Sequence, residues 1–316
     1  MHFAISIPQH APDGTFDSAA LRTYLRRAEE LAFSGAWTGE QTLGTLPHLG
    51  PVETLSFAAA CTEQLRLGCA VFVATQHNPV QLAKSISTLD QLSAGRLEVG
   101  LATGGRNRMF SAFATDPNTI VARFNEGLQL MKALWTDERV TFRGRFWQLE
   151  DAAMEPKPFQ KPGPPVWFGG GHPAMLRRAA LHADGFFGAG STTTAAFAEQ
   201  VSVLRHELAV SGRDPATMRV AKRVYLVIDD DAERGRARIG RALNDMYGYF
   251  GVPDLAPVAV HGTPGMVIDG LQAVADAGAE MILLNPMFDE AEQMERLAAE
   301  VVPHIAGADD PAPVAT

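Results

Sequence analysis

Cysteine is scarce in this chain: Cys61 and Cys69 are the only two among 316 residues. Two are too few for a disulfide framework, and their spacing matches neither a paired metal knuckle nor a C-x-x-C redox motif, so they read as free buried thiols. Long hydrophobic runs are missing as well. No uncharged apolar stretch approaches the roughly 18 residues that cross a bilayer, so no membrane span is expected. The N-terminal MHFAISIPQH has no basic leader and too short an apolar run for a signal-peptide core, which makes the cytoplasm the expected location. Positive charge is short too. With Lys+Arg 27 against Asp+Glu 36, a net charge of -9 and a pI near 5.5, a nucleic-acid surface is not expected, although Arg106–Arg108 and Arg177–Arg178 could form local basic pockets. Finally, no G-x-G-x-x-G turn follows the first apolar strand, which weakens an open dinucleotide-binding sheet. What remains, 46% hydrophobic and 20% charged, is the composition of a globular enzyme with a small-molecule partner.

Short apolar runs alternate with amphipathic segments over most of the length, which predicts parallel β/α architecture. Eight strands are expected: Phe3–Pro8, Ala36–Glu40, Leu65–Ala74, Arg96–Thr103, Val166–Gly169, Gly185–Ala189, Arg219–Ile228 and Met281–Leu284. Helices are expected over Asp17–Phe33 (closed by Gly35), Val80–Leu92 (ended by Ser93-Ala94-Gly95), Ile120–Trp135, Ala174–His182, Thr194–Val210, Asp231–Tyr247, Thr263–Ala277 and Glu290–Val302. RVTFRGRFWQLEDA reads as a hairpin outside the repeat, and Gly248–Val260 as an insertion. Eight strand–helix units favour a closed (β/α)8 TIM barrel with insertions over a doubly wound open sheet. The expected organisation is one domain over residues 1–305 and a disordered tail over 306–316.

The most informative stretch is PPVWFGGGHPAMLRRAALHAD, where an apolar strand meets a helix through Gly169, Gly170 and Gly171. Without Cβ atoms these residues can take unusual dihedrals and bring their N–H groups close to an anion. Pro173 suits a first helical position, since its φ is already set and its missing N–H would have had no helical partner. The free N–H groups and dipole of the helix would then face a phosphate, although the same glycines would equally serve close strand–helix packing.

Four segments together resemble the bacterial luciferase-like superfamily of flavin- or deazaflavin-dependent oxidoreductases. They are RLGCAVFVATQHNPVQLAKSISTLDQLSAGRLEVGLATG, RFNEGLQLMKALWTDERVTFRGRFWQLEDA, PKPFQKPGPPVWFGGGHPAMLRRAALHADGFF and, more loosely, GAWTGEQ. The resemblance covers roughly residues 1 to 305 and implies a luciferase-like barrel whose C-terminal mouth holds the isoalloxazine ring against the third strand. A non-prolyl cis peptide is implied there at Ala70–Val71. The resemblance also implies that Gly169, Gly170, Gly171 and His172 hold the cofactor phosphate, that Thr103, Gly104 and Asn107 line the ring and ribityl chain, and that Gly190 and Ser191 add donors. Two departures bear on mechanism. Glu40-Gln41 stands where the family often has an acidic residue and histidine, and Met109 where it often has a glutamate. Glutamine is no general acid or base, which leaves His10, Glu40 and His77 as catalytic candidates, with His48 and His172 as further loop imidazoles. His182, His206, His261 and His304 read as structural, and no metal site is expected.

The function implied is an oxidoreductase using reduced FMN on a small organic substrate, either activating oxygen for monooxygenation, with the reduced FMN supplied by a separate flavin reductase, or passing a hydride to an organic acceptor, and working as a homodimer. A coenzyme F-420-dependent hydride-transfer enzyme is the alternative, for which Arg106, Arg108, Arg177 and Arg178 could line a basic exit channel. A non-catalytic flavin-binding protein, and a barrel enzyme binding a sugar phosphate without a redox cofactor, are alternatives of other classes. Trp135 and Trp147 read as packing residues, and Tyr247, Tyr249 and Phe250 as candidates for a substrate lid.

Overall fold

The computed structural model describes residues 1–11, 13–104, 110–248, 251 and 255–307. The strands in chain order are β1 (His2–Ser6), β2 (Gly35–Thr38), β3 (Arg66–Val73), β4 (Leu97–Ala102), β5 (Val140–Arg143), β6 (Gln148–Ala152), β7 (Val166–Gly169), β8 (Gly185–Gly188), β9 (Arg219–Ile228), β10 (Val260–Gly262) and β11 (Met281–Pro286). Eight of them close a parallel barrel in the order β1-β2-β3-β4-β7-β8-β9-β11 and back to β1. The antiparallel pair β5–β6 is the hairpin expected outside the repeat. The helices α1 (Ser18–Glu30), α2 (Pro51–Cys61), α3 (Pro79–Leu92), α4 (Ile120–Thr136), α5 (Pro173–His182), α6 (Thr194–Ser211), α7 (Ala232–Gly248), α8 (Pro264–Asp276) and α9 (Glu290–Arg296) lie between and after the strands.

Local chemistry sets the helix ends. Asp17 caps α1 by accepting from the N–H groups of Ala19 and Ala20, and Gly212, at φ 70, ends α6 in the left-handed region. A proline stands in the first turn of α2, α3, α5 and α8, where its missing N–H costs nothing. The structure corrects four expectations. Helix α1 stops at Glu30, and Ala32, not Gly35, takes the positive φ of 58; Gly35 is the buried start of β2. Helix α2 had no counterpart in the sequence reading, although Gly50-Pro51 marks its start. Strand β10, a short addition to the far end of β9, is not among the expected strands, and only its first residue, Val260, falls within the expected insertion. Of the two free thiols, Cys69 is buried and Cys61 only partly so.

Strand alternation sorts the side chains into two populations. Leu67, Cys69, Leu97, Val99, Leu101, Val166, Phe168, Val220 and Val224 face the helices and join one continuous core with Leu82, Ile86, Phe124, Leu134, Trp135 and Leu204. The opposite set fills the barrel, where Trp37, Trp167, Phe187, Ala4, Ala221 and Leu283 form a separate buried cluster. Trp37 and Trp167 meet edge to face, 6.0 Å apart at 88°. Each burying about 200 Å² of ring, they contribute roughly 5 kcal/mol apiece before entropy. A Cβ at Gly68 would strike the Trp37 ring, and one at Gly185 the Trp167 ring, so both positions require glycine for space. Below this layer the Glu98 carboxylate takes bonds from Arg66, Arg219 and the Trp167 indole N–H.

Gly100 approaches backbone instead of a ring, because a Cβ there would fall inside the van der Waals envelope of the Cys69 carbonyl oxygen and lie 3.0 Å from Val71 Cγ1. Gly100→Ala is expected to force β3 and β4 apart and to cost about 3 kcal/mol in urea unfolding. Gly265→Ala, on the exposed first turn of α8 with nothing within 4 Å, should instead be neutral or stabilising by up to about 1 kcal/mol.

Candidate cofactor site

At the C-terminal ends of the strands, above the indole layer, lies a cavity of about 420 Å³. One wall is made of small residues: Ala70 and Val71 of β3, Ala102, Thr103 and Gly104 after β4, and Gly169, Gly170 and Gly171 after β7. The other carries Met175 of α5, Phe187 and Gly190 from β8 and its loop, Arg223 and Tyr225 of β9, and Tyr247 near the end of α7. The peptide bond between Ala70 and Val71 is cis and non-prolyl, as the sequence comparison implied. Glycine is required along the small wall: Gly104 and Gly170 have φ of +76 and +115, and a Cβ at Gly169 would meet Val71 Cγ1 at 3.0 Å.

Gly170, Gly171 and His172 lead into α5, with Pro173 in its first turn. His172 is exposed, and its Nδ1 accepts from the Ala174 N–H at 3.2 Å, so the imidazole serves as the helix N-cap. The N–H groups of Gly171 and His172 find no acceptor among the described residues, which leaves two donors for an anion at a helix N-terminus. Gln200 of α6 packs against Gly171, and its Oε1 is buried without a partner among the described residues. The residues present therefore fit a phosphate-bearing ligand whose flat part lies along the small wall. Gln200 escaped the sequence reading because nothing in the pattern of α6 separates it from the other polar residues of that helix.

Most of the residues implied by the resemblance meet at this cavity: Ala70, Val71, Thr103, Gly104, Gly169, Gly170, Gly171, His172 and Gly190 all line it. Ser191 is exposed beyond the wall, close enough to Tyr247 to act on its hydroxyl. Asn107 lies outside the described residues, as do Arg106, Arg108, Met109, Tyr249, Phe250 and residues 308–316 of the expected tail. Of the lid candidates, Tyr247 reaches the cavity and holds its hydroxyl 2.6 Å from that of Tyr225. Burial raises the Tyr247 phenol well above its ordinary value, so it keeps its proton at neutral pH.

The loop after β8 is held from outside the barrel by Lys222. This buried side chain donates to the carbonyls of Ala189 at 2.7 Å, Thr192 at 2.9 Å and Arg223 at 3.2 Å. Burial, and secondarily the charge of Arg223, push its ammonium down to about 7.

None of the three catalytic candidates lines the cavity. Glu40 and His77 pair with each other, His77 Nε2 lying 2.7 Å from Glu40 Oε1, while Glu40 Oε2 accepts from the Val73 N–H at 2.5 Å. They pin the end of β3 beside the small wall. His10 stands against His48, Nδ1 to Nδ1 at 3.3 Å, and faces a second cavity of about 460 Å³ between α1, α2 and the start of α9. Burial, then the neighbouring His48, push the His10 imidazole down to about 4, so it is neutral at pH 7 and a poor proton donor. The unfolded chain binds this proton near pH 6.5 and the folded one only near 4, so the folded state is fully favoured above 6.5 and loses ground as pH falls between those values. His10→Gln is expected to shrink the loss of stability between pH 7 and pH 4.5 by about 2 kcal/mol, read from urea midpoints at the two pH values.

The sequence model of the luciferase-like monooxygenase family matches residues 1–256. Over 273 residues the chain is 27% identical to an F420-dependent glucose-6-phosphate dehydrogenase of Kineococcus radiotolerans, covering 79% of this chain and 80% of that one. It is 28% identical over 188 residues to an FMNH(2)-dependent dimethylsulfone monooxygenase of Pseudomonas putida, covering 58% of this chain and 50% of the relative. The crystal structure of monooxygenase RslO1 from Streptomyces bottropensis superposes with a TM-score of 0.83 at 24% identity, covering 96% of this chain and 99% of the other, and so shares the fold. With a family match over residues 1–256, most of its length, the chain belongs to the luciferase-like monooxygenase family of oxidoreductases.

Proposed function

We propose that the protein is a monooxygenase that uses reduced FMN on a small organic substrate. One observation carries this reading. A single cavity joins the small wall at Ala70–Val71 to a glycine turn with two free N–H donors, which suits a ligand with a flat ring at one end and a phosphate at the other. When bound, the reduced flavin supplies the electrons and the reaction with oxygen. The chain supplies the rest. Gly171 and His172 bind the phosphate, the small wall seats the ring, and Phe187 and Met175 exclude water. Among the described residues of the wall the proton is held at the paired hydroxyls of Tyr225 and Tyr247. In this reading a separate reductase delivers the reduced FMN, and the enzyme works as a homodimer in the cytoplasm.

Hydride transfer with coenzyme F-420 is the second reading, and the likeness to the Kineococcus dehydrogenase favours it. Against it, Arg177 and Arg178 do not open onto the cavity: Arg178 donates back to Ala174 O, and Arg177 lies 3.9 Å from Glu207 at the surface. Titration of the apoprotein with FMN and with F-420, each oxidised and reduced, separates the readings by fluorescence. Selective binding of reduced FMN is expected; tight F-420 binding with negligible FMN binding would replace the proposal with the second reading. Turnover with reduced FMN excludes a non-catalytic flavin carrier. Tyr247→Phe is expected to slow that turnover by about tenfold while changing the FMN dissociation constant by less than about twofold.

A further inference from the structure

The floor of the mouth contains a cation whose charge the fold leaves unanswered. Arg223 projects inward from the middle of β9 and crosses towards β2 and β3, where Nη2 donates to Thr38 O at 3.2 Å and Ala70 O at 2.7 Å. Those two bonds use both protons of one nitrogen. Nη1 and Nε have no acceptor among the described residues, and Nε is buried. No carboxylate of the described residues lies within 4.0 Å of the guanidinium. The nearby carboxyl of Glu40 is taken by His77 and the Val73 N–H.

A charged group whose N–H bonds go unused in a cavity wall is destabilised, so the two idle N–H bonds of Nη1 call for a ligand that uses them. The surroundings agree. The other basic groups within reach of its field, His10, His48 and Lys222, are all pushed towards their neutral forms, chiefly by burial and in part by Arg223 itself. Nothing in the wall competes as an anion. The hydroxyls of Tyr225 and Tyr247 pair with each other, and that of Thr103 donates to Gly104 O.

We propose that Arg223 is the anion-recognition residue of the barrel mouth, receiving through Nη1 a delocalised oxygen anion carried by the bound ligand. Two ligands present that chemistry: a substrate carboxylate, and the N1–C2 oxygen system of a reduced flavin. Both offer adjacent acceptors, which the two N–H bonds of Nη1 can serve. Only the second source rests on the flavin reading.

The test uses the full-length apoprotein, Arg223→Gln and Arg223→Lys, with folding checked by melting temperature and circular dichroism. Calorimetry compares benzoate with the isosteric neutral benzamide, and anaerobic titration compares reduced with oxidised FMN. Wild type is expected to prefer the anionic member of at least one pair by about tenfold to a hundredfold, the worth of a hydrogen bond to a charged group. Arg223→Gln should abolish that preference and Arg223→Lys should retain part of it. Loss confined to the benzoate pair places the anion on the substrate; loss confined to the FMN pair places it on the cofactor. If FMN binds in neither state while wild type still prefers benzoate, the flavin reading falls and the role of Arg223 stands. Wild type showing neither preference overturns the proposal without recourse to any variant, and so does a folded Arg223→Gln that keeps wild-type preferences, because the guanidinium would then serve only to brace Thr38 and Ala70.

Discussion

A barrel of eight parallel strands must fill its own bore, and here two indoles do so. Trp37 and Trp167 meet edge to face, Phe187 closes the third side, and the strands that face the rings carry Gly68 and Gly185 so that the rings fit. This dry layer decides the height at which polar chemistry can begin. Below it sits the Glu98 cluster with two arginines, and above it the cavity floor with Arg223 and Tyr225. Were the layer smaller, water would run through the bore and both sets of charges would be solvated from within.

The mouth above the layer is asymmetric. Strands β3, β4 and β7 contribute almost nothing beyond methyl groups and glycine, whereas β9 and α7 contribute a guanidinium and two phenols. A flat ligand can approach the first wall closely, while the second provides directional bonds. Much of the supporting work is done by side chains that never reach the cavity. Glu40 and His77 fix the end of β3, Lys222 gathers three carbonyls around the β8 loop, and Gln9 clasps Gly39 through both its amide atoms. Of the histidines expected near the site, His77 braces the end of β3 through Glu40, while His10 faces the second cavity.

The eight strands were legible because each is a short β-branched or aromatic run bounded by glycine, proline or polar residues, and the glycine turn because three glycines and a proline leave little other use for the backbone. Helix α2 was not, since PVETLSFAAAC has too many apolar residues to show a clear face, buried as it is against both neighbours and the barrel. At the site, the small wall followed from the resemblance, but Arg223 and Tyr225 did not stand out. They sit in RVAKRVYLVI, a strand whose inward and outward faces both carry a cation, so that alternation alone could not say whether Lys222 or Arg223 entered the bore. Only the register, which places Ala221 and Tyr225 inside, decides it.

Strand β1 has its neighbours at opposite ends of the sequence: Ala4 to Ser6 lie beside Gly35 to Trp37 in β2, while His2 to Ile5 lie beside Met281 to Leu284 in β11. The sheet is therefore an open ribbon until the last strand is added. A ribosome would release the seven barrel strands before β11 with β1 and β9 still presenting unpaired backbone edges, each a template for another molecule's strand. Closure by β11 replaces two such edges with none, so the stretch most exposed to intermolecular pairing is created by the order of synthesis and removed only when β11 arrives.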